Sequence, residues 1–217
     1  MWTTRFNRTR IKICGIRTAY LAQAAADAGA DAIGLVLATD SPRHVLPGAA
    51  SQIARSLPPF VMPFGVFRNP TDPDLHAWQG QWVQVHGEIN EQQVSRVAHA
   101  KRVVRGLAFD PEHIRRWDQC PAVSAILVDG SAGGGGESFD HEALASMMSG
   151  LSKPIILAGG LTPENVGRAI RIVRPFAVDV SSGVESAPAM KDPILIRRFC
   201  DAVRAADASL ASVDQPA

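Results

Sequence analysis

The sequence predicts a single-domain (β/α)8 TIM barrel, an α/β fold, from three observations. Short apolar runs alternate with longer amphipathic segments along the whole chain, which is typical of repeated βα units around a parallel sheet. There are eight such runs, the number of strands that closes a barrel. The length of 217 residues suits a compact barrel without a second domain. A doubly wound sheet is the main alternative fold, but it usually has about five or six strands.

The predicted strands are short and mostly apolar. In chain order they are Ile11–Cys14, Ala32–Leu37, Phe60–Phe67, Trp82–Val85, Arg102–Gly106, Ala125–Val128, Pro154–Ala158 and Ala177–Val180. Between them, several prolines stand where first helical turns are expected, because that turn does not need proline's missing amide hydrogen. These are Pro47, Pro111, Pro163 and Pro193. Thr162 is the expected N-cap before Pro163, and the helix Ala19–Ala28 is expected to end at Gly29.

Composition and charge exclude several classes of protein. The 22 basic and 21 acidic side chains leave a formal charge of +1, so no global field attracts nucleic acid or an anionic membrane. The apolar runs are far shorter than the roughly 18 to 20 residues of a transmembrane helix. The first ten residues do not resemble a secretory signal. We therefore expect a cytoplasmic protein that binds neither nucleic acid nor membrane.

The chain ends and the cysteines complete this outline. We predict a flexible leader over residues 1–10, a barrel over 11–206 and a tail over 207–217, in a monomer or a homodimer. The three cysteines have no disulfide or metal spacing, which fits a reducing compartment. Cys120 and Cys200 lie away from the predicted strand ends and are expected to be structural. Several histidines also lack ligand spacing, so no metal site is expected. These are His44, His76, His99, His113 and His141.

The chemistry of a barrel belongs at the carboxyl ends of its strands. The polar residues at the predicted ends are Cys14 after strand one, Arg43 after strand two, His86 after strand four and Asp129 after strand six. The loops after strands seven and eight carry Gly159 and Gly160, and Ser181, Ser182 and Gly183. Glycine lets backbone amides approach an anion and serine adds hydroxyl donors, so we predict a phosphate site there.

The sequence resembles the phosphoribosylanthranilate isomerases of tryptophan biosynthesis from about Arg10 to Ala206. Six blocks carry the resemblance in order: Lys12–Gly15, Ser41–Arg43, Gln84–Gly87, Leu127–Gly130 followed by Phe139-Asp140, Leu157–Asn165 and Val178–Glu185. The family is cofactor-free and performs an Amadori rearrangement of N-(5-phosphoribosyl)anthranilate, a small phosphosugar. The resemblance implies that Cys14 is the general base and Asp129 the general acid, while Arg43 holds the anthranilate carboxylate. His86 and Asp179 are further candidate substrate-binding residues, although a histidine at a strand end can also be structural.

The reaction requires unusual protonation states of both catalytic groups. An ordinary cysteine is only about 3% thiolate at pH 7, and an ordinary aspartate is ionised. Half-ionisation of Cys14 requires its pKa to fall by about 1.5 units, and half-protonation of Asp129 requires a rise of about 3 units. Strand alternation places Lys12 on the same face as Cys14, and we expect it to form a buried ion pair with Asp179.

The sequence departs from the family pattern at three places: Ala19-Tyr20, Pro188-Ala189 where glycine usually follows the proline, and the run Gly133–Gly136. The glycine run predicts an unusually mobile active-site loop. Two alternative functions stay open. One is the related histidine-pathway isomerase, which needs two phosphate sites and uses aspartate where this chain has Cys14. The other is a phosphosugar-binding barrel without turnover.

Overall fold

A computed structural model describes residues 8–130 and 139–213 of the chain. Eight strands form the barrel: β1 (Arg10–Cys14), β2 (Ala32–Val36), β3 (Met62–Arg68), β4 (Trp82–His86), β5 (Arg102–Ala108), β6 (Val123–Asp129), β7 (Ile155–Leu157) and β8 (Ala177–Val180). The helices are α1 (Ala19–Ala28), α2 (Pro47–Arg55), α3 (Asp72–Ala77), α4 (Glu91–Ala98), α5 (Pro111–Gln119), α6 (His141–Met147), α7 (Val166–Val173) and α8 (Pro193–Val213). A small hairpin of β9 (Glu185–Ala187) and β10 (Met190–Lys191) lies between β8 and α8.

The strands pair in parallel and in chain order, and β8 closes the ring against β1. This arrangement confirms the predicted barrel. The register sets Cys14 beside Gly34 of β2 and Lys12 beside Asp179 of β8. Going round the ring, β7 and β8 separate β6 from β1. The loops after β7 and β8 therefore lie between the strands that end in Asp129 and Cys14.

Alternation along the strands divides the apolar side chains into an inner and an outer set. In β6, Ala125 and Leu127 belong to the cluster inside the barrel, whereas Ile126 and Val128 belong to the larger cluster that includes the helices. The inner cluster consists of Ala32, Phe64, Val104, Ala125, Leu127, Ile156, Ala158 and Ala177. The barrel interior is thus filled by side chains, and the polar residues lie above this filling.

Most helix signals are confirmed, but the one at Pro163 is wrong. Helices α2, α5 and α8 begin at the predicted prolines, and α1 ends at Gly29, which has a φ of 96°. Helix α7 begins at Val166, three residues after Pro163. The hydroxyl of Thr162 accepts a hydrogen bond from the Glu164 amide, and the Thr162 amide donates to the side chain of Asn165. These bonds close a separate turn before the helix, so Thr162 is not its N-cap.

Ordered structure extends past both predicted limits of the barrel. Strand β1 begins at Arg10, and the amide and hydroxyl of Thr9 donate to the Asp207 carboxylate at 2.8 and 2.7 Å. Helix α8 continues to Val213. The predicted mobile run Gly133–Gly136 lies outside the described residues, as do residues 1–7 and 214–217. In the described part of the chain, no helix is long and apolar enough to cross a membrane.

Candidate active site

A cavity of about 790 Å3, its open mouth included, lies at the carboxyl ends of the strands. Nine of the ten predicted site residues line it. They are Cys14, Arg43, His86, Asp129, Gly159, Gly160, Asp179, Ser181 and Ser182. Gly183 does not line the cavity. The barrel therefore brings together residues from four strands and from the loops after β2, β7 and β8.

Cys14 lies at the end of β1 and is 7% exposed. Burial raises the pKa of its thiol, and the neighbouring Lys12 cation opposes that rise. The thiol is therefore protonated at neutral pH. Its raised pKa differs from the lowered pKa that is expected of a general base. The position is tightly enclosed, because a Cβ built on Gly34 would lie 2.7 Å from the Cys14 Sγ.

The predicted buried ion pair is present beneath Cys14. Nζ of Lys12 donates to Oδ1 of Asp179 at 2.8 Å, and both side chains are less than a tenth exposed. The Lys12 pKa is raised: burial disfavours the cation, and the charge and hydrogen bond of Asp179 favour it. Lys12 therefore stays charged and stabilises negative charge on the sulfur above it.

Asp129 is the last residue of β6 and is 7% exposed. Its backbone carbonyl accepts a hydrogen bond from the Phe109 amide at 2.9 Å, which anchors the strand end to the loop after β5. The carboxyl group contributes to the cavity wall opposite the β1 side of the ring. Around the ring, the loops after β7 and β8 lie between Asp129 and Cys14.

Arg43 reaches the cavity from the loop after β2 and is held by Glu185 of β9. Nε donates to Oε1 at 2.7 Å and Nη2 donates to Oε2 at 2.8 Å. The stem of Arg43 crosses Gly15, where a Cβ would lie 2.6 Å from its Cδ. Since Gly15 also has a φ of 82°, a side chain at this position would be strained and would displace Arg43.

The loops after β7 and β8 meet at the cavity rim. Gly159 and Gly160 have φ values of 87° and 60°, so glycine is needed for the turn after β7. Gly183 allows the second loop to approach the first, because a Cβ there would lie 1.9 Å from the Leu161 carbonyl oxygen. The Ser181 hydroxyl donates to the Cys14 carbonyl at 3.2 Å. It therefore joins the second loop to β1.

His86 is uncharged in this site. Burial, followed by the cations Arg105 and Lys12, lowers its pKa to about 3. Its Nε2 accepts a hydrogen bond from the side-chain amide of Gln84 at 2.7 Å. Arg105 donates to the carbonyl oxygens of Val85 and Gly87 at 2.8 and 2.6 Å, on either side of the histidine. The ring is thus fixed by its neighbours as a neutral hydrogen-bonding group.

Sequence reasoning did not identify four residues that shape the site: Gly34, Gln84, Glu185 and Lys191. Gly34 and Gln84 lie two residues before the observed ends of β2 and β4, so period-two alternation counted back from those ends could have found them. Glu185 lies in a block used for the family resemblance but received no role. Lys191 lies in the β9–β10 hairpin, outside the βα repeat. It could not be found by looking for polar residues at the ends of the barrel strands.

The remaining cysteines and histidines lie elsewhere. Cys120 and Cys200 are buried in the cluster between the sheet and the helices, and burial raises the pKa of Cys200 to about 11. Over residues 8–130 and 139–213, no group of three or more His, Cys, Asp or Glu side chains could hold a metal ion.

The chain is similar to known proteins over most of its length. Residues 11–202 match the sequence profile of N-(5'-phosphoribosyl)anthranilate (PRA) isomerase. The N-(5'-phosphoribosyl)anthranilate isomerase of Leptothrix cholodnii is 43% identical over 210 residues, which are 93% of each chain.

Solved structures agree with this match. The phosphoribosyl anthranilate isomerase of Thermus thermophilus superposes with a TM-score of 0.82 at 33% identity, covering 94% of this chain and 100% of its own. Another phosphoribosyl anthranilate isomerase, in complex with reduced 1-(o-carboxyphenylamino)-1-deoxyribulose 5-phosphate, gives a TM-score of 0.79 at 34% identity, covering 91% and 99%. The chain belongs to the N-(5'-phosphoribosyl)anthranilate isomerase family.

Proposed function

We propose that this enzyme converts N-(5-phosphoribosyl)anthranilate into 1-(2-carboxyphenylamino)-1-deoxyribulose 5-phosphate in tryptophan biosynthesis, with Asp129 as general acid and Cys14 as general base. The observation that carries the proposal is the placement of this carboxyl and this thiol on one cavity, with the β7 and β8 loops between them. Family membership supports the reaction. The roles of the two residues rest on their positions.

The reaction needs one proton delivered and one removed. Asp129 protonates the furanose ring oxygen while the bond from that oxygen to C1 breaks, and the anilino nitrogen becomes an iminium. Cys14 then removes the C2 proton, and the electrons of that bond form a C1–C2 double bond and neutralise the nitrogen. The resulting enolamine tautomerises to the ketone as C1 gains a proton and the C2 hydroxyl loses one. No electrons enter or leave, so the chemistry balances without a cofactor.

The substrate's two anionic groups are bound at different places in this proposal. Gly159, Gly160 and Ser182 line the rim where the phosphate binds, and their backbone amides supply donors. Arg43 binds the anthranilate carboxylate with its planar guanidinium. His86 contacts the bound sugar as a neutral ring, because its low pKa prevents an ion pair with the substrate.

The raised pKa of Cys14 gives the mechanism a pH dependence. The base acts as thiolate, and burial keeps the thiol protonated at neutral pH. The thiolate fraction, and with it turnover, therefore increases with pH until the pH passes the thiol pKa. The Lys12 cation limits the free energy of forming the thiolate, since it lies beside the sulfur and is itself held by Asp179.

The proposal is tested by the loss of phosphoribosylanthranilate fluorescence on addition of purified protein. Cys14→Ala and Asp129→Asn should each abolish turnover. Cys200→Ala, which removes a buried thiol outside the cavity, serves as the matched control and should retain it. Turnover that survives both site changes would reject the acid–base assignment. No turnover by the unaltered protein would favour a diverged phosphosugar enzyme or a binding barrel.

A further inference from the structure

Lys191 is a buried cation next to the cavity, in the β9–β10 hairpin rather than in a barrel strand. Its side chain is 1% exposed. Nζ donates to Oε1 of Glu185 at 2.5 Å, and to the backbone oxygen and hydroxyl of Ser181 at 3.0 and 3.2 Å. A lysine so deeply buried is costly unless it is paired, and here it is held by a carboxylate and by a loop of the proposed phosphate site.

Glu185 in turn holds one edge of Arg43. Its two oxygens accept from Nε and Nη2, and Oε2 also accepts from the Ala189 amide at 3.1 Å. Neither Glu185 contact uses Nη1 of Arg43. Nη1 and the second hydrogen of Nη2 form the end-on fork of the guanidinium, which matches the geometry of a second carboxylate.

The charges of these three side chains explain why the lysine is needed. Arg43 and Glu185 alone would cancel, so the pair would attract an anion only weakly. Burial raises the pKa of Glu185, but hydrogen bonds and charge from Arg43 and Lys191 outweigh it and lower that pKa to about 2, so the carboxylate is ionised. With Lys191 charged, the three groups sum to one net positive charge.

We propose that Lys191 and Glu185 are positioning residues for recognition of the substrate's ring carboxylate. Glu185 fixes the side edge of Arg43 and directs the end-on fork into the cavity. Lys191 offsets the Glu185 charge, so that Arg43 binds a second carboxylate without losing the first. This inference rests on the proposed function, because it takes Arg43 as the carboxylate-binding residue.

A purely structural role for Lys191 leads to a different expectation. If the lysine only tied the hairpin to Ser181, its loss would disturb the phosphate loop and weaken every phosphorylated ligand equally. If it supports Arg43, its loss weakens ligands that carry the ring carboxylate and spares those that lack it. The ratio of the two affinities therefore separates the roles.

The test uses two probes and isothermal titration calorimetry. The first probe is reduced 1-(o-carboxyphenylamino)-1-deoxyribulose 5-phosphate, and the second is the same compound without the ring carboxylate. Lys191→Met and Glu185→Gln should each weaken the first probe by at least about tenfold, as expected when a hydrogen bond to a charged group is lost. Both should bind the second probe within about threefold of the unaltered protein.

Lys101→Met is the matched control, since Lys101 also donates to backbone oxygens, those of Trp78 and Gly80, at the opposite end of the barrel. It should change neither affinity. If Lys191→Met does not fold, as judged by circular dichroism, Glu185→Gln carries the test, because an amide can accept only one of the two Arg43 hydrogen bonds and so no longer fixes the guanidinium.

The inference would be overturned if Lys191→Met weakened both probes equally, since Lys191 would then support the phosphate loop or the fold. It would also be overturned if the binding of both probes were unchanged, since Lys191 would then have no role in binding.

Two control measurements test Arg43 itself. The unaltered protein and Arg43→Met are measured first. If the unaltered protein does not prefer the carboxylated probe, or Arg43→Met keeps that preference, the proposed role of Arg43 fails as well. If Arg43→Met loses the preference and the Lys191 and Glu185 variants keep it, the positioning inference fails alone.

Discussion

Replacing Gly34 by alanine would push directly on the proposed catalytic base. Gly34 lies in β2 beside Cys14, and an added Cβ would be 2.7 Å from Sγ, 3.1 Å from the Lys12 Nζ and 3.2 Å from the Cys14 Cα. Ordinary contacts between nonbonded heavy atoms are about 3.5–4.0 Å. The sulfur must therefore move by about 1 Å, because the backbone of β1 is fixed in the barrel ladder.

This displacement should reduce kcat more than it raises KM. A misplacement of about 1 Å in a reacting group can cost about 100-fold in rate. The proposed substrate anchors, Arg43 and the loops after β7 and β8, lie on other elements and keep their geometry. Overpacking of this kind also destabilises by about 1–3 kcal/mol, so unfolding in urea should be measured on the same samples.

Gly48→Ala is the control, because Gly48 lies in α2 and an added Cβ there meets nothing within 4 Å. It should leave kcat unchanged. Steady-state kinetics by loss of substrate fluorescence give kcat and KM for both variants. If folded Gly34→Ala kept kcat within about threefold, catalysis would not depend on the observed position of the Cys14 sulfur beside Gly34.

Two further predictions concern charge and backbone strain. Lys12→Met should raise the Cys14 pKa further, because it removes the cation that opposes the effect of burial. It should lower kcat at pH 7 by at least about tenfold, with partial recovery at higher pH, and a parallel fall at every pH would contradict this. The double variant Lys12→Met/Asp179→Asn controls for the carboxylate that Lys12→Met leaves unpaired. Ala189 has a φ of 61°, a left-handed conformation that costs an L residue about 1–2 kcal/mol. Ala189→Gly should raise the free energy of unfolding by about 0.5–1 kcal/mol, a value that already subtracts the larger unfolded-state entropy of glycine. Ala187→Gly, in the neighbouring strand, is the control and should lower the free energy of unfolding. Both variants are measured by unfolding in urea. A fall for Ala189→Gly would show that the strain is absent.

The barrel and most of the cavity could be predicted because they depend on local pattern. A period of two inside the strands and a proline or glycine at helix ends are encoded within a few residues of each other. The candidate site residues were then selected by a rule of position, since Cys14, His86 and Asp129 each end a strand. The Pro163 signal misplaced the start of α7 by three residues, because Thr162 and Asn165 cap a turn that comes before the regular helix.

The electrostatic state of the site could not be predicted in the same way. The Cys14 pKa depends on burial by β2 and on Lys12, and the His86 pKa depends on burial and on Arg105 from the next strand. Strand pattern does not predict how deeply the thiol is buried, and that burial raises the Cys14 pKa instead of lowering it. Lys191 was not predicted because it contacts Glu185 across a hairpin that is not part of the repeated βα unit.

The distribution of charge also separates binding from chemistry within one cavity. Lys12 is the cation nearest the base, but Asp179 balances its charge, so it does not compete for the substrate's anionic groups. The net positive charge lies instead on the Arg43, Glu185 and Lys191 cluster. In the proposed mechanism, the substrate carboxylate therefore binds at Arg43 and away from the sulfur, where a second anion would raise the thiol pKa further. In the same mechanism, Lys12 stabilises the thiolate when Cys14 removes the C2 proton.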